Sequence, residues 1–296
     1  MIKKLWRKIV PNPFDKLLKQ AVKKGKKSFL ICWNRGLGDI PLGLYALVAR
    51  IRTYIPDSRV TFLTRPALAE GFSFLEDVSV IAIPHLKRGE PIDVKQALGP
   101  AADSYDVILE NPDPTYWVRW QLGQLVPRLK WKEEWDGLWK KFDELHGSHV
   151  YIGVHVQTET HYSYEKNWPH DKWEQAFRHL LARRSAKIVL FGNEPLLKFD
   201  IEGIIDLRGQ TSVKEFLSVI KNRCTTLIAP DSGVLSLMYY IDANFPLKVI
   251  SLWADDKQGI LKQNVPSPNL QLEHFPLIGP GGKIDLIDVE QVMGVI

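Results

Sequence analysis

The chain has 296 residues, of which 45% are hydrophobic and 25% charged, and it carries a net charge of +5 at pH 7. This composition is typical of a globular protein with enough apolar residues for a core and, at this length, for two domains. The two cysteines, Cys32 and Cys224, lack the spacing of a disulfide framework or a zinc site, and no apolar run reaches the roughly 18–20 residues that span a bilayer.

Most of the positive charge lies at the start of the chain. Residues 1–27 hold ten basic residues against one acid, a net charge of +9, so residues 28–296 together carry −4. Apolar residues recur among these lysines at helical spacing, which suits a helix lying on an anionic membrane surface. Packing of this helix on its own domain is the alternative, and a nucleic-acid arm is the least favoured one. We expect a cytoplasmic protein that binds peripherally to the inner face of the cytoplasmic membrane, with no nucleic-acid partner.

The first strand is predicted over residues 28–33, and a helix is predicted over 40–54. Between them lies the turn Asn34-Arg35-Gly36-Leu37-Gly38-Asp39, whose two glycines do not make the dinucleotide-binding fingerprint. Asp39 would stand at the carboxyl end of the strand, where ligands bind in open α/β sheets. The alternative is that it only stabilises the first turn of the helix. Further strands are predicted over 59–63, 79–83 and 105–110.

Five tryptophans follow at steps of three and four residues within two clusters, interleaved with lysines and arginines. They are Trp117, Trp120, Trp131, Trp135 and Trp139. The pattern favours a buried stripe with a solvated face, and an acceptor groove or a membrane-facing rim is the alternative.

A second series of strands and helices begins near residue 147. Strands are predicted over 150–155, 187–192, 204–207, 225–229, 247–253 and 270–275, and helices over 171–184, 212–221, 234–241 and 285–293. Two successive α/β series predict two Rossmann-like domains with mostly parallel sheets, facing each other across a cleft. We place them at residues 28–146 and 147–296, after the basic segment 1–27, and allow the last helix to pack back on the first domain.

The stretch around residue 230 combines a strand, a tight turn and the start of a helix. Asp231 and Ser232 can cap this helix, and Gly233 lets a ligand approach the backbone. Unpaired N–H groups and the helix dipole make such a turn suitable for a phosphate. The alternative is that these residues only cap a buried helix.

Taken together, these motifs resemble the heptosyltransferase family of GT-B glycosyltransferases over roughly residues 28–255. The resemblance lies in Arg35-Gly36-Leu37-Gly38-Asp39, Lys166-Asn167-Trp168-Pro169 with Trp173, Phe191-Gly192, Asp206-Leu207-Arg208-Gly209-Gln210-Thr211-Ser212 and Asp231-Ser232-Gly233, in that order. It implies transfer of a heptose from a nucleoside diphosphate donor, usually ADP-heptose, to the inner core of lipopolysaccharide, with inversion and without a metal or other cofactor.

The resemblance also implies roles for single residues. Asp39 would be the general base and Lys166 would bind the donor diphosphate, where a fixed cation stabilises the leaving group. Glu194 would hold the ribose, and Asp231, Ser232 and Gly233 would meet the diphosphate and sugar. The expected donor-binding set also includes Gly38 and Thr158.

The chain departs from the family pattern at several positions. Ser236 stands where the family has a histidine, Val234 where it has a proline, and Tyr45 where it has another proline. Ala254-Asp255-Asp256 replaces a Gly-Pro-Thr-Asp-Pro segment. A catalytically silent GT-B module that binds a nucleotide sugar or a partner protein, and a sugar-nucleotide epimerase, therefore remain alternatives to the transferase.

Overall fold

The computed structural model describes residues 12–160, 164–182 and 186–296, and the chain divides into two compact units. The first ends at Pro127 and the second begins at Arg128. Each unit is built on a β-sheet of its own, and all strand pairings within the two sheets are parallel. Parallel neighbours need crossover connections, which helices supply. The predicted α/β class is confirmed.

Over its described residues, the first unit contains a four-stranded sheet and five α-helices. In chain order these are α1 (Pro13–Lys23), β1 (Ser28–Cys32), α2 (Tyr45–Tyr54), β2 (Arg59–Thr64), α3 (Pro66–Phe72), β3 (Val78–Ala82), α4 (Val94–Leu98), β4 (Val107–Leu109) and α5 (Pro114–Trp117). The strand order is β3-β2-β1-β4, with Ile31 opposite both Phe62 and Leu109. All five residues of β1 are buried, as expected of a central strand covered on both faces.

The helix predicted over 40–54 is not uniform. It starts as a π-helix, Ile40–Leu44, in which the Tyr45 N–H donates to the Ile40 carbonyl, and continues as α2. Gly43 packs so closely on α5 that a Cβ there would lie 2.5 Å from Pro114 Cβ. The carbonyl of Pro41, displaced from the α-helical pattern, accepts a hydrogen bond from Gln121 Nε2 at 3.3 Å. A widened turn therefore follows Asp39 directly, a feature that is frequent at functional sites.

Helix α1 packs on its own unit through its apolar face. Phe14, Leu18 and Ala21 are buried, and the Phe14 ring stacks on Trp117 with centroids 5.3 Å apart. Asp15 accepts two hydrogen bonds from the Arg50 guanidinium, at 2.8 and 2.7 Å. Of the alternatives for this segment, residues 12–27 show packing, while residues 1–11 lie outside the described part of the chain. Among the described residues, no helix has the length and apolarity needed to cross a bilayer.

In the second unit, the described residues form a six-stranded sheet and five α-helices. In chain order these are β5 (Val150–His155), α6 (His170–Leu181), β6 (Ala186–Phe191), β7 (Ile204–Asp206), α7 (Val213–Arg223), β8 (Cys224–Pro230), α8 (Gly233–Tyr239), β9 (Leu247–Trp253), α9 (Gly259–Gln263), β10 (Leu272–Ile278) and α10 (Val289–Gly294). The strand order is β10-β9-β8-β5-β6-β7. Helix α10 packs against α6, and its Val289 and Val292 belong to the core of this unit. The helix that we allowed to return to the first domain thus completes the second unit.

Residues 128–146, which the sequence analysis assigns to the first domain, pack on α7 in the second unit. Lys221 Nζ lies 2.6 Å from Asp136 Oδ1, and the Trp139 N–H donates to Ser218 Oγ at 3.3 Å. Trp131 and Trp135 meet edge to face, with centroids 5.4 Å apart. Trp135 is buried, whereas Trp131 and Trp139 are half-buried, so the buried stripe that the pattern favours is only partly formed here.

Candidate functional site

The sites predicted from the sequence lie at the point where the strand order of each sheet changes direction. In the second sheet, β5 lies between β6 and β8, and the strand order runs outward from this pair of neighbours in both directions. The crevice at the carboxyl ends of two such strands is where open α/β sheets bind ligands. The loop with Thr158 and Lys166 follows β5, and Asp231 follows β8. Thr158, Lys166 and Asp231 therefore lie at this switch point.

Lys166 and Asp231 form an ion pair there. Lys166 Nζ lies 2.8 Å from Asp231 Oδ2, and the two side chains are 18% and 9% exposed. The Tyr164 hydroxyl donates to the same oxygen at 2.6 Å, and Lys166 Nζ lies 4.9 Å from the centre of the Tyr164 ring. Burial, followed by the charge of Asp231, raises the pKa of Tyr164 well above its usual value, so the phenol stays a donor. We call these three residues the Lys166 cluster.

The loop that carries Lys166 is braced by hydrogen bonds at its base. The Asn167 amide accepts from the Thr158 N–H at 2.7 Å and donates to the Thr158 carbonyl at 3.0 Å. Glu165 Oε1 accepts from the backbone N–H groups of Lys166 and Asn167, at 2.9 and 2.7 Å. The backbone of Thr158 is thus tied to the side chain of Asn167, the residue that follows Lys166.

The turn after β8 is tight. Ser232 is buried and caps α8, its hydroxyl accepting from the Leu235 N–H at 3.2 Å, and Ser236 Oγ donates to the Ser232 carbonyl at 3.1 Å. Gly233 is half-buried at the start of α8. The capping role that we considered for this turn is present, and it holds the backbone beside Asp231 in place.

Gly259 lies against Asp231 from the opposite side. Its φ is +48°, and a Cβ there would lie 2.6 Å from Asp231 Oδ1 and 2.7 Å from the Trp253 ring. Only a glycine fits this approach, so the Asp231 carboxylate is confined between Gly259 and the two donors of the Lys166 cluster.

Glu194 is exposed in the turn that follows β6, one strand away from the switch point at the same edge of the sheet. On the other side, a cavity of about 690 Å³ opens where β9 and β10 end. Its lining includes Tyr164, Asp255, Asp256 and the loop 279–282. The Lys166 cluster therefore lies between Glu194 and a cavity of small-molecule size.

Asp39 occupies the corresponding place in the first unit. It follows β1, which lies between β2 on one side and β4 on the other. The Gly36 N–H donates to Asp39 Oδ2 at 3.0 Å, and a Cβ on Gly36 would lie 2.9 Å from that oxygen. Asp39 and Gly38 are both half-buried. The glycine turn thus orients the carboxylate at the switch point of this sheet.

The two cysteines are poorly placed for chemistry. Cys32 and Cys224 are buried, and burial raises the pKa of both thiols, that of Cys32 to about 12. Within the described ranges, no group of three or more histidine, cysteine, aspartate or glutamate side chains is placed to hold a metal ion.

Sequence reasoning missed Tyr164 and Gly259. Tyr164 lies in an irregular polar loop, and 67 positions separate it from Asp231. Gly259 is the first residue of α9, a helix of only five residues that carries no recognisable pattern. The proximity of Tyr164 to Lys166 along the chain is the only signal that could have pointed to it.

Solved structures with the same architecture come from glycosyltransferases. A glycosyl transferase family 9 protein of Veillonella parvula DSM 2008 superposes with a TM-score of 0.63 at 16% identity, covering 91% of this chain and 96% of that one. The E. coli ADP-heptose lps heptosyltransferase II gives 0.62 at 17% identity, covering 90% and 96%. The chain has the GT-B glycosyltransferase fold. The E. coli heptosyltransferase WaaC with ADP shares the GT-B fold at a TM-score of 0.51 and 16% identity, covering 90% and 96%.

The GT-B fold confirms the predicted fold class, and the resemblance seen in the motifs holds at the level of the fold. No protein-family profile and no curated protein sequence matches the chain.

Proposed function

We propose that the chain is an inverting, metal-independent glycosyltransferase that moves a sugar, in the first instance a heptose, from a nucleoside diphosphate donor to a lipopolysaccharide-type or other glycan acceptor. The Lys166 cluster at the switch point of the second sheet carries this proposal, in a chain with the fold of heptosyltransferases. ADP in the WaaC structure supports an adenosine diphosphate donor.

Lys166 is proposed to bind the donor diphosphate. Its ammonium group has three protons, so the contact with Asp231 leaves donors for phosphate oxygens. The nucleoside diphosphate gains negative charge as it leaves the sugar, and a fixed cation beside it lowers the barrier. Asp231 and Tyr164 hold Lys166 in one position, so little reorganisation is needed when the ligand binds.

Asp39 is proposed to be the general base. An inverting transfer needs a group that takes the proton from the attacking acceptor hydroxyl, and a carboxylate within hydrogen-bond reach is sufficient. The Gly36 N–H orients the Asp39 carboxylate through Oδ2. Glu194, Thr158, Ser232, Gly233 and Gly38 complete the proposed donor-binding set.

Calorimetric titration with ADP, UDP, GDP and ADP-heptose tests the donor site. We expect one diphosphate to bind, and Lys166→Ala to weaken it by roughly tenfold to a hundredfold, the range for hydrogen bonds to charged groups. The loss should be at the upper end of this range because Asp231 would then face the phosphates without its cation.

Lys221→Ala is the matched control. Lys221 is 15% exposed and pairs with Asp136 at 2.6 Å in the same unit, so its removal breaks a comparable ion pair outside the site. Lys221→Ala should leave the Kd of the diphosphate unchanged.

Lack of diphosphate binding by the wild type would refute the donor site and favour a partner-binding module. Donor binding without transfer to any acceptor would favour the silent nucleotide-sugar module. Conversion of donor without acceptor would favour the epimerase.

Asp39→Asn separates chemistry from binding. The amide keeps an acceptor for the Gly36 N–H but cannot take a proton, so transfer should fall by about 10²- to 10⁴-fold while the donor Kd stays the same. Full turnover by this variant would remove Asp39 from the mechanism.

We also propose that the protein works in the cytoplasm, on the inner face of the cytoplasmic membrane. Lys16, Lys19, Lys23 and Lys24 of the α1 region are exposed, whereas the apolar face of α1 is buried, so attraction to anionic lipid would be electrostatic. Co-sedimentation with phosphatidylserine vesicles that 0.5 M salt abolishes is expected. Equal binding to neutral phosphatidylcholine vesicles would refute it.

A further inference from the structure

A cavity lies beside the Lys166 cluster, at the carboxyl ends of β9 and β10. Its volume of about 690 Å³ falls within the range of about 300–1,000 Å³ that is typical of small-molecule sites. Tyr164 forms part of its wall, and the hydroxyl of this tyrosine is bonded to Asp231 at 2.6 Å. The cavity and the proposed cation site for the diphosphate therefore share one side chain.

The strand order decides which part of a nucleotide sugar this cavity can take. A nucleoside diphosphate sugar has its diphosphate in the middle, so a diphosphate at Lys166 leaves the nucleoside and the sugar to occupy two separate places around it. Along the sheet edge, Glu194 follows β6 on one side of the β5–β8 switch point, and the cavity follows β9 and β10 on the other. From β6 to β9 is three strand spacings, about 14 Å. With the ribose at Glu194, the sugar end reaches the cavity.

The lining of the cavity suits a neutral sugar. Asp255, Asp256 and Gln258 supply oxygen acceptors for hydroxyl groups, and all residues that line the cavity are described and none of them is basic. The Lys257 N–H donates to Asp255 Oδ1 at 2.9 Å and lowers the pKa of Asp255, so this carboxylate stays ionised and repels anionic groups.

Four consecutive residues of the lining, 279–282, include three glycines. Gly281 and Gly282 have φ angles of +63° and +79°, and a Cβ on Gly281 would meet nothing within 4 Å. Glycines in this conformation let a ligand approach the main chain closely. This part of the lining therefore offers backbone groups to a polar ligand.

We propose that this cavity binds the sugar moiety of the donor, a neutral polyhydroxyl ring, and that Asp255, Asp256 and Gln258 determine which sugar is accepted. The inference rests on the proposed function, because it needs a diphosphate at Lys166 and the ribose at Glu194. It also gives a role to Ala254-Asp255-Asp256, the segment in which the chain departs from the pattern that its motifs otherwise resemble.

The test compares ADP with ADP-heptose in the wild type and in an Asp255→Asn, Asp256→Asn double variant. We expect the wild type to bind ADP-heptose at least tenfold more tightly than ADP. The double variant should lose this ratio and keep the Kd for ADP within twofold, because each amide has one acceptor oxygen instead of two and accepts weaker hydrogen bonds from sugar hydroxyls than a carboxylate does. Glu202→Gln with Glu290→Gln, on two exposed acids of the same unit, is the charge-matched control and should keep the ratio.

The possible outcomes separate the inference from the proposed function. ADP binding with the same ADP-heptose ratio in all three proteins would show that the sugar lies elsewhere. Equal weakening of ADP and ADP-heptose in the double variant would mean that the nucleoside occupies the cavity, which also overturns the inference. Absence of ADP and ADP-heptose binding in the wild type would instead refute the ADP-linked donor, and the role of the cavity with it.

Discussion

At the scale of single residues, the position of Asp231 depends on the glycine beside it. Gly259→Ala would place a Cβ 2.6 Å from Asp231 Oδ1 at a backbone φ of +48°. A left-handed backbone alone costs about 1–2 kcal/mol for a residue with a side chain. The clash adds to this cost and displaces the carboxylate, so we expect a larger loss of unfolding free energy and weaker ADP binding, measured by urea unfolding and calorimetry.

Gly25→Ala is the control for that prediction. Gly25 has a φ of +64°, and a Cβ there would meet nothing within 4 Å, so only the backbone strain applies. If Gly259→Ala were no more destabilising than Gly25→Ala and bound ADP like the wild type, the confinement of Asp231 by Gly259 would be refuted.

The same residues show what the sequence could predict of the site. Lys166 and Asp231 were found by motif, but their contact was not, because they follow different strands and sequence spacing does not report the distance between such loops. Tyr164 was missed because a tyrosine in an irregular loop carries no periodic signal. The hydrogen bond from Tyr164 to Asp231 depends on β5 and β8 being neighbours in the sheet, which the sequence does not show.

At the scale of elements, α1 offers a test of packing against membrane insertion. Phe14 is 1% exposed and stacks on Trp117, so Phe14→Ala should lower the unfolding free energy by about 3–5 kcal/mol. Val22 lies on the same helix but is 48% exposed, and Val22→Ala should change it by no more than about 0.5 kcal/mol. Urea unfolding of both variants measures the difference, and equal stability would contradict the packing of α1.

Elements that are compact apolar runs in the sequence were predicted well. Elements whose shape depends on contacts with distant segments were not. The bounds predicted for β5 and β9 match the structure, because both are compact apolar runs. The π-helix Ile40–Leu44 was not foreseen, because it depends on the approach of Gly43 to Pro114 in a distant segment. The tryptophan stretch forms 3₁₀ turns, Glu133–Trp135 and Leu138–Lys141, whose side chains also recur every three residues.

At the scale of the whole molecule, both units place their predicted residues at the switch point of a parallel sheet. Asp39 follows β1 in one sheet, and Lys166 and Asp231 follow β5 and β8 in the other. Strand order is not written in a single sequence, so the sequence predicts that such residues lie at strand ends without showing which ends are neighbours. The topology supplies that information, and it explains why Lys166 and Asp231, which belong to separate motifs of the second unit, are in contact.

The two units also differ in how they should respond to acid. His155 in β5 and His274 in β10 both belong to the second unit, and burial lowers the pKa of each to about 4. The unfolded state therefore binds more protons than the native state between pH 6.5 and 4, so stability falls as the pH drops through this window and is flat above it. The unfolding free energy of the second unit should be lower by about 2 kcal/mol for each histidine at pH 5.

Urea unfolding at pH 7.5, 6 and 5 measures this loss of unfolding free energy. A His155→Gln, His274→Gln variant should lose much of the slope, whereas His149→Gln, on an exposed side chain, is the control. An unchanged slope in the double variant would show that other groups cause the acid sensitivity.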